Sequence, residues 1–200
     1  MRILPLLLLS ACGLSAADTL SQHDRDFAMS HMHATRKLFL DAVAGLTPEQ
    51  WNFKPAPDRW SVAECAEHIA VSEDFIAGIA KQLLKTPATP EKHSLVEGKD
   101  ELLVKMVPER VQKFKAPEPI QPTHRFANPS EAVEHFKQSR ERNIAYIETT
   151  QDDLRDHFMP HPAPAIGLLD GYQWFLLMSA HTERHTAQIN EVKSDPKFPK

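Results

Sequence analysis

Apolar residues recur at three- and four-residue spacing in four long stretches of this chain, and prolines fence each stretch from the next. That spacing marks helices with one buried face. The first stretch runs from about Ser21 to Gly45, with Phe27, His31, Ala34, Leu38 and Ala42 read as its inner stripe. Gly45 fits the position just past a helix end. Thr47 then caps a short turn with Pro48 at its first position. The second stretch opens on Ser61-Val62-Ala63-Glu64, a capping box in which serine and glutamate satisfy each other's backbone amides, with Trp60 placed to staple onto Cys65. Its stripe is Cys65, His68/Ile69, Ser72, Phe75/Ile76 and Ile79, and it should end near Lys85, before Pro87. The third opens at Asn128-Pro129-Ser130-Glu131 and carries Val133, Phe136, Arg140, Ile144 and Ile147. The fourth starts after Asp170, with Gln173 at the capping-box position. It carries Trp174, Leu177/Met178, His181, His185 and Ile189 before Pro196.

No run alternates β-branched and polar residues as a strand does. The expected fold class is therefore all-α. Four long helices with inward stripes bury themselves most simply as a four-helix bundle, here one domain over residues 18–200. Residues 86–128 form a proline-rich insertion between helices 2 and 3. The pattern predicts one short helix in it, at about Lys99 to Val107, and extended chain after Lys115. Structureless insertions of that length are uncommon in compact domains and often cover a site.

With 200 residues, 42% of them hydrophobic, the chain can bury a core without needing a disulfide to fold. A net charge of −4 and the lack of a glycine-rich phosphate loop argue against nucleic-acid and nucleotide partners. Residues 1–17 read as an export signal peptide: Arg2 supplies the positive end, Ile3 to Leu9 the apolar run, and Ser15-Ala16-Ala17 the small-residue cleavage site. The run is far short of the ~20 residues that span a bilayer, so no transmembrane helix is expected. Leu9-Ser10-Ala11-Cys12 also resembles a bacterial lipobox, a second route in which a lipid anchor at Cys12 holds the protein to the membrane. Both routes lead to the bacterial periplasm or cell envelope. Cleavage after Ala17 leaves Cys65 as the one cysteine, so no intramolecular disulfide forms.

Histidine, at 11 residues, is the compositional anomaly. His181 and His185 share one helix face, about 6 Å apart along the axis, and that face is the apolar stripe. Buried imidazoles without partners are costly, and a shared metal would satisfy both. His68 lies on the inner side of the second helix, from which a third imidazole can come. Three neutral nitrogens with an open fourth position is the layout of a catalytic divalent metal. Separately hydrogen-bonded core histidines remain the alternative on these residues alone. Cys65, one turn before His68, could approach such a metal, and His31 and Asn143 could line the site. Glu64 reads as a helix cap and Glu183 as a surface residue. His157 and His161, beside Pro160 and Pro162, read as exposed loop residues, and Arg184 as part of a surface or ligand-supporting ion pair.

Trp60-Ser61-Val62-Ala63-Glu64-Cys65-Ala66-Glu67-His68-Ile69 resembles the W-S-x-x-E-x-x-x-H-[LI] stretch of the DinB-like (DinB/YfiT-type) superfamily. His181-Thr182-Glu183-Arg184-His185-Thr186-Ala187-Gln188-Ile189 resembles its H-x-x-R-H-x-x-Q-I helix. Leu46-Thr47-Pro48-Glu49 and Trp51-Asn52-Phe53-Lys54-Pro55 resemble its first connector. The resemblance spans roughly Ser21 to Val192. It implies a four-helix bundle and a divalent metal ion, commonly zinc or nickel, held by His68, His181 and His185. It also implies a metal-dependent enzyme acting on a small-molecule substrate by thiol-dependent transfer or hydrolysis, and a homodimer paired through helix faces. The alternative is a non-catalytic metal-binding or stress-related module of the cell envelope. The apparent export signal and the long insertion depart from the family's pattern.

Overall fold

The computed structural model of the chain describes residues 19–110 and 114–200. The export-signal reading of residues 1–17 and the lipidation reading at Cys12 lie outside these residues. Among those described, no helix is long and apolar enough to cross a membrane. Helix α1 spans Gln22–Val43, α2 Pro48–Asn52 and α3 Val62–Leu83, each started by a reciprocal capping box, at Ser21, Thr47 and Ser61 respectively. Helix α4 spans Lys99–Met106, α5 Pro129–Thr149 behind an Asn128 cap, and α6 Gly171–Lys193 behind an Asp170 capping box.

Helices α1, α3, α5 and α6 pack as a four-helix bundle. Every residue of α6 from Gly171 to Ala180 is buried, because α1, α3 and α4 all pack against that helix. Its first residue has no room for a side chain. The Gly171 amide donates to the carbonyls of Leu154 and His157 at 2.8 and 3.0 Å, and a Cβ there would lie 2.8 Å from the Leu154 oxygen.

The insertion is more ordered than its prolines suggest. It adds 3₁₀ turns at Pro90–Leu95 and Glu118–Ile120, and α4 docks on α6 through buried Leu103. Arg184, expected in an ion pair, is buried and donates to the Val107 and Glu109 carbonyls just past α4. A guanidinium suits that position, where the orphan carbonyls of a helix end gather. The connector before α6 is a small antiparallel hairpin, with β1 at Phe158–Pro160 and β2 at Leu168–Asp170. Strands of three residues are too short to show a period of two.

The inner face of α1 is rotated from the expected stripe. Arg25, Ala28, Met32, Thr35, Phe39 and Ala42 are buried, Phe27 and His31 are half-buried, and Ala34 and Leu38 are exposed. The pattern misleads because two of its inward residues are polar. Arg25 donates to the carbonyls of Ile147 and Thr150, and Thr35 bonds Ser179 at 2.9 Å. Such partners remove the penalty of burying them.

At mid-height the four long helices meet in one polar knot. Arg140 of α5 is 0% exposed, and all five of its N–H groups are engaged. Nε and Nη2 fork onto Glu73 of α3 at 2.8 and 2.5 Å. Nη1 donates to the Met32 carbonyl and the Thr35 hydroxyl of α1, both at 2.7 Å. Nη2 also donates to the Thr182 hydroxyl of α6 at 2.9 Å. A second knot closes the hairpin end, where Arg155 is held by Asp24, Asp100 and Asp170.

Removing one partner of a buried ion pair strands the other charge, which costs about 3–5 kcal/mol. Arg140→Met should therefore lower unfolding free energy by that order in urea titrations. Adding Glu73→Met should recover part of the loss, because Thr35 and Thr182 can bond carbonyls of their own helices. A single variant as stable as wild type would show that the knot does not hold the bundle.

Candidate metal centre

One turn above that knot, α3 and α6 bring His68, His181 and His185 together. Their Nε2 atoms converge: that of His68 lies 3.1 Å from His181 and 3.2 Å from His185. Nitrogens held tetrahedrally at ~2.0–2.1 Å from one ion are ~3.3 Å apart, so the spacing suits a shared cation. His68 is 1% exposed, whereas His181 and His185 are partly accessible, which leaves the open side of the cluster along α6.

Hydrogen bonding fixes which nitrogens carry protons. Nδ1 of His68 lies 2.6 Å from the Ile120 carbonyl, which can only accept, so Nδ1 holds the proton and Nε2 presents a lone pair. Nδ1 of His185 lies 2.9 Å from Oε1 of Gln188. That oxygen also accepts from Arg110, which orients the amide and makes Nδ1 of His185 a donor as well. The facing Nε2 atoms of His68 and His185 are thus two lone pairs 3.2 Å apart. His181 has one N–H at most as a neutral ring, which can satisfy only one of them. A cation satisfies all three, and the donor set fits zinc or nickel better than the oxygen-seeking calcium and magnesium.

Burial holds His68 down to about 4, against the weaker upward pull of the Ile120 carbonyl. Burial first, then the neighbouring rings, holds His181 and His185 well below the ordinary imidazole range. The cluster is therefore neutral at physiological pH, the form in which imidazole binds metal. Among the described residues, no carboxylate or thiol joins the three rings within metal-sharing distance. Cys65 is wholly buried in the apolar cluster, and burial pushes its thiol far up, out of reactive range. Trp60 packs against that same apolar cluster, and its ring also lies 4.9 Å from His68.

The other histidine and polar candidates have different work. The His31 ring meets Phe27 at a tilt of 59°, with centroids 4.8 Å apart. Asn143 donates to the Glu73 carbonyl and the Met178 sulfur. Glu64 closes the α3 capping box and pairs with Lys54. His157 is buried rather than exposed, and His161 is half-buried, with its ring 5.5 Å from Trp174. His157 directly precedes β1 and His161 directly follows it, so the hairpin carries both rings. Three contributors escaped the sequence reading. Gln188 had a signal, three residues after His185 on the same helix. Glu67 has no role in the sequence reading beyond its place in the Trp60–Ile69 stretch, yet it is 5% exposed. The Ile120 carbonyl is backbone and has no sequence signature.

The sequence model of the DinB superfamily matches residues 31–189. The uncharacterized protein YuaE of Bacillus subtilis (strain 168) is 27% identical over 165 residues, which covers 82% of this chain and 96% of that protein. Among solved structures, YfiT from Bacillus subtilis aligns with a TM-score of 0.49 and 15% identity, over 88% of this chain and 89% of its own. It is described as a probable metal-dependent hydrolase with an unusual four-helix bundle topology.

Neutral burial of His68 makes metal-free protein acid-sensitive. Its ring takes a proton at about 4 in the fold but near ~6.5 in the open chain. Between those values the unfolded chain binds the extra proton. The stabilisation is therefore full above ~6.5 and is lost as pH falls towards the folded value. Chelator-treated protein should show a lower urea midpoint at about pH 5 than at about pH 7. An unchanged midpoint would mean the rings sit in water.

Proposed function

The chain belongs to the DinB superfamily, and we propose that it is a divalent-metal-dependent enzyme whose cation is held by His68, His181 and His185. The observation that carries this reading is the convergence of three imidazole nitrogens, two of them bound to present lone pairs. When bound, a divalent cation supplies Lewis acidity and lowers the pKa of a weak acid at its open position. The protein supplies the rest. All three donors are neutral, so none offsets the cation's charge. Ile120 and Gln188 hold the His68 and His185 rings in the tautomer that points Nε2 inward. Trp60 shields His68, while the partly exposed edges of His181 and His185 leave the approach for a small molecule.

A weak acid activated at that position suits hydrolysis or thiol-dependent transfer. Among the described residues no further acidic or thiol group joins the three rings. That observation favours a second reading, a non-catalytic metal-binding module. Zinc and nickel are the metals we propose, and the cell envelope the place, on the strength of the signal-like residues 1–17. Mass spectrometry of protein from a bacterial host should find a chain starting near Asp18 or at a lipidated Cys12. An intact Met1 would remove the export reading.

Elemental analysis of purified protein should find about one divalent ion per chain. Added metal should raise the melting temperature, because it binds the folded bundle only. His185→Ala should abolish most of that shift, whereas His157→Ala, at the hairpin, should keep it. Equal responses in the two variants would mean the metal sits elsewhere. Turnover of ester, amide or thiol-adduct substrates that disappears in His185→Ala separates the enzyme from the binding module.

A further inference from the structure

Between α3 and α5 the insertion runs past the metal centre, and one carboxylate fastens it there. Glu67 immediately precedes His68 on α3, and its side chain is buried. Its Oε1 accepts the backbone amides of Thr123 and Arg125 at 2.8 and 3.3 Å, and its Oε2 accepts that of His124 at 3.0 Å. Successive backbone amides turned towards one anion form a nest. His124 supplies the turn by adopting φ 59, a left-handed conformation that residues other than glycine seldom take. Arg125 then folds back over the same loop. Its guanidinium donates to the Pro119 and Gln121 carbonyls at 2.9 Å each, and to the Thr123 hydroxyl. The loop secured in this way carries Ile120, whose carbonyl takes the Nδ1 proton of His68 at 2.6 Å.

We infer that Glu67 is a positioning residue for the metal centre, acting through the insertion: it docks the 119–125 loop so that the Ile120 carbonyl orients His68. The inference rests on the proposal that His68 binds the cation. Glu67 does not touch the cluster itself. Its neighbour on α3 is the ring that needs orienting, and the loop it holds returns to that ring at Nδ1. Bond by bond, the path runs from the Glu67 carboxylate to three backbone amides, along the loop to the Ile120 carbonyl, and into the His68 imidazole. A bond to the second nitrogen of a ligating histidine fixes the ring and raises its basicity, and losing such a partner weakens metal binding by about 10–100-fold. Coupling between two sites is reciprocal, so a cation on His68 should in turn tighten the loop onto Glu67.

Zinc affinity by competition titration and hydrogen exchange at the amides of Thr123, His124 and Arg125 test this together. In wild type, zinc should slow exchange at the three amides. Glu67→Ala should weaken zinc binding by about 10–100-fold, free those amides to exchange, and uncouple their exchange from zinc. Glu67→Gln keeps one oxygen acceptor and should fall between the two. Circular dichroism should show the bundle retained in both variants. If Glu67→Ala frees the amides while zinc binds as tightly as in wild type, the inference fails and the metal reading stands. Wild type that binds no zinc, nickel or cobalt would overturn the metal reading itself, and the inference with it.

Discussion

Arg140 sets the register on which the histidine cluster depends. A guanidinium carries five donors in a rigid plane, and here every one is spent on a different helix from its own. Glu73 lies five residues after His68 on α3, and Thr182 directly follows His181 on α6. Bridging those two partners therefore fixes how far α3 and α6 can slide past each other, and with it the gap between the imidazoles. Apolar packing tolerates small slips, since one methylene contact replaces another at similar energy. A fork of charged hydrogen bonds does not, because misalignment leaves a buried charge without its partner. The apolar clusters supply most of the driving force for assembly. The knot decides the alignment at which assembly stops.

The bundle was legible because its boundaries are written in local chemistry. Ser61 with Glu64, Asn128 with Pro129, and Asp170 with Gln173 each start a helix in the structure where their side chains say it should. The stripes of α3, α5 and α6 face inward as read. The stripe of α1 does not, and the cause is specific. Arg25 and Thr35 sit where a hydrophobicity pattern expects solvent, and their burial follows from partners on α5 and α6 that lie more than a hundred residues away. The hairpin and the turns of the insertion were hidden for a related reason. Short strands and 3₁₀ turns are set by what they dock against, such as the Leu154 carbonyl or the flank of α6, and not by their own propensities.

At the site, the side chains were readable and their supports were not. Periodicity put His181 and His185 on one inward face and His68 on the inner side of its own helix, and left open whether they meet; the resemblance to the DinB superfamily named the three together. Nothing local to Glu67 or Ile120 shows that they belong to the same neighbourhood. Glu67 lies off the α3 stripe as read, and it is buried because its carboxylate accepts backbone amides of the insertion. Gln188 differs in this respect, since helical spacing alone places it beside His185. The supports that escape notice are those supplied by backbone, or by a side chain whose partners are backbone.

Gly171 bears on all of this from a distance. It begins α6 against the Leu154 carbonyl, where a Cβ would stand at 2.8 Å. Helices are stiff along their axes, and His181 lies ten residues further on, about 15 Å at 1.5 Å per residue. Any side chain at position 171 would need space that a fixed carbonyl cannot give, and sliding α6 to make it would carry the same displacement to His181. With the Nε2 atoms of His68 and His181 only 3.1 Å apart, even half an ångström is a large fraction of the working tolerance. The glycine serves as the datum from which the helix is measured out, and the dimension it controls is that of a site it never touches.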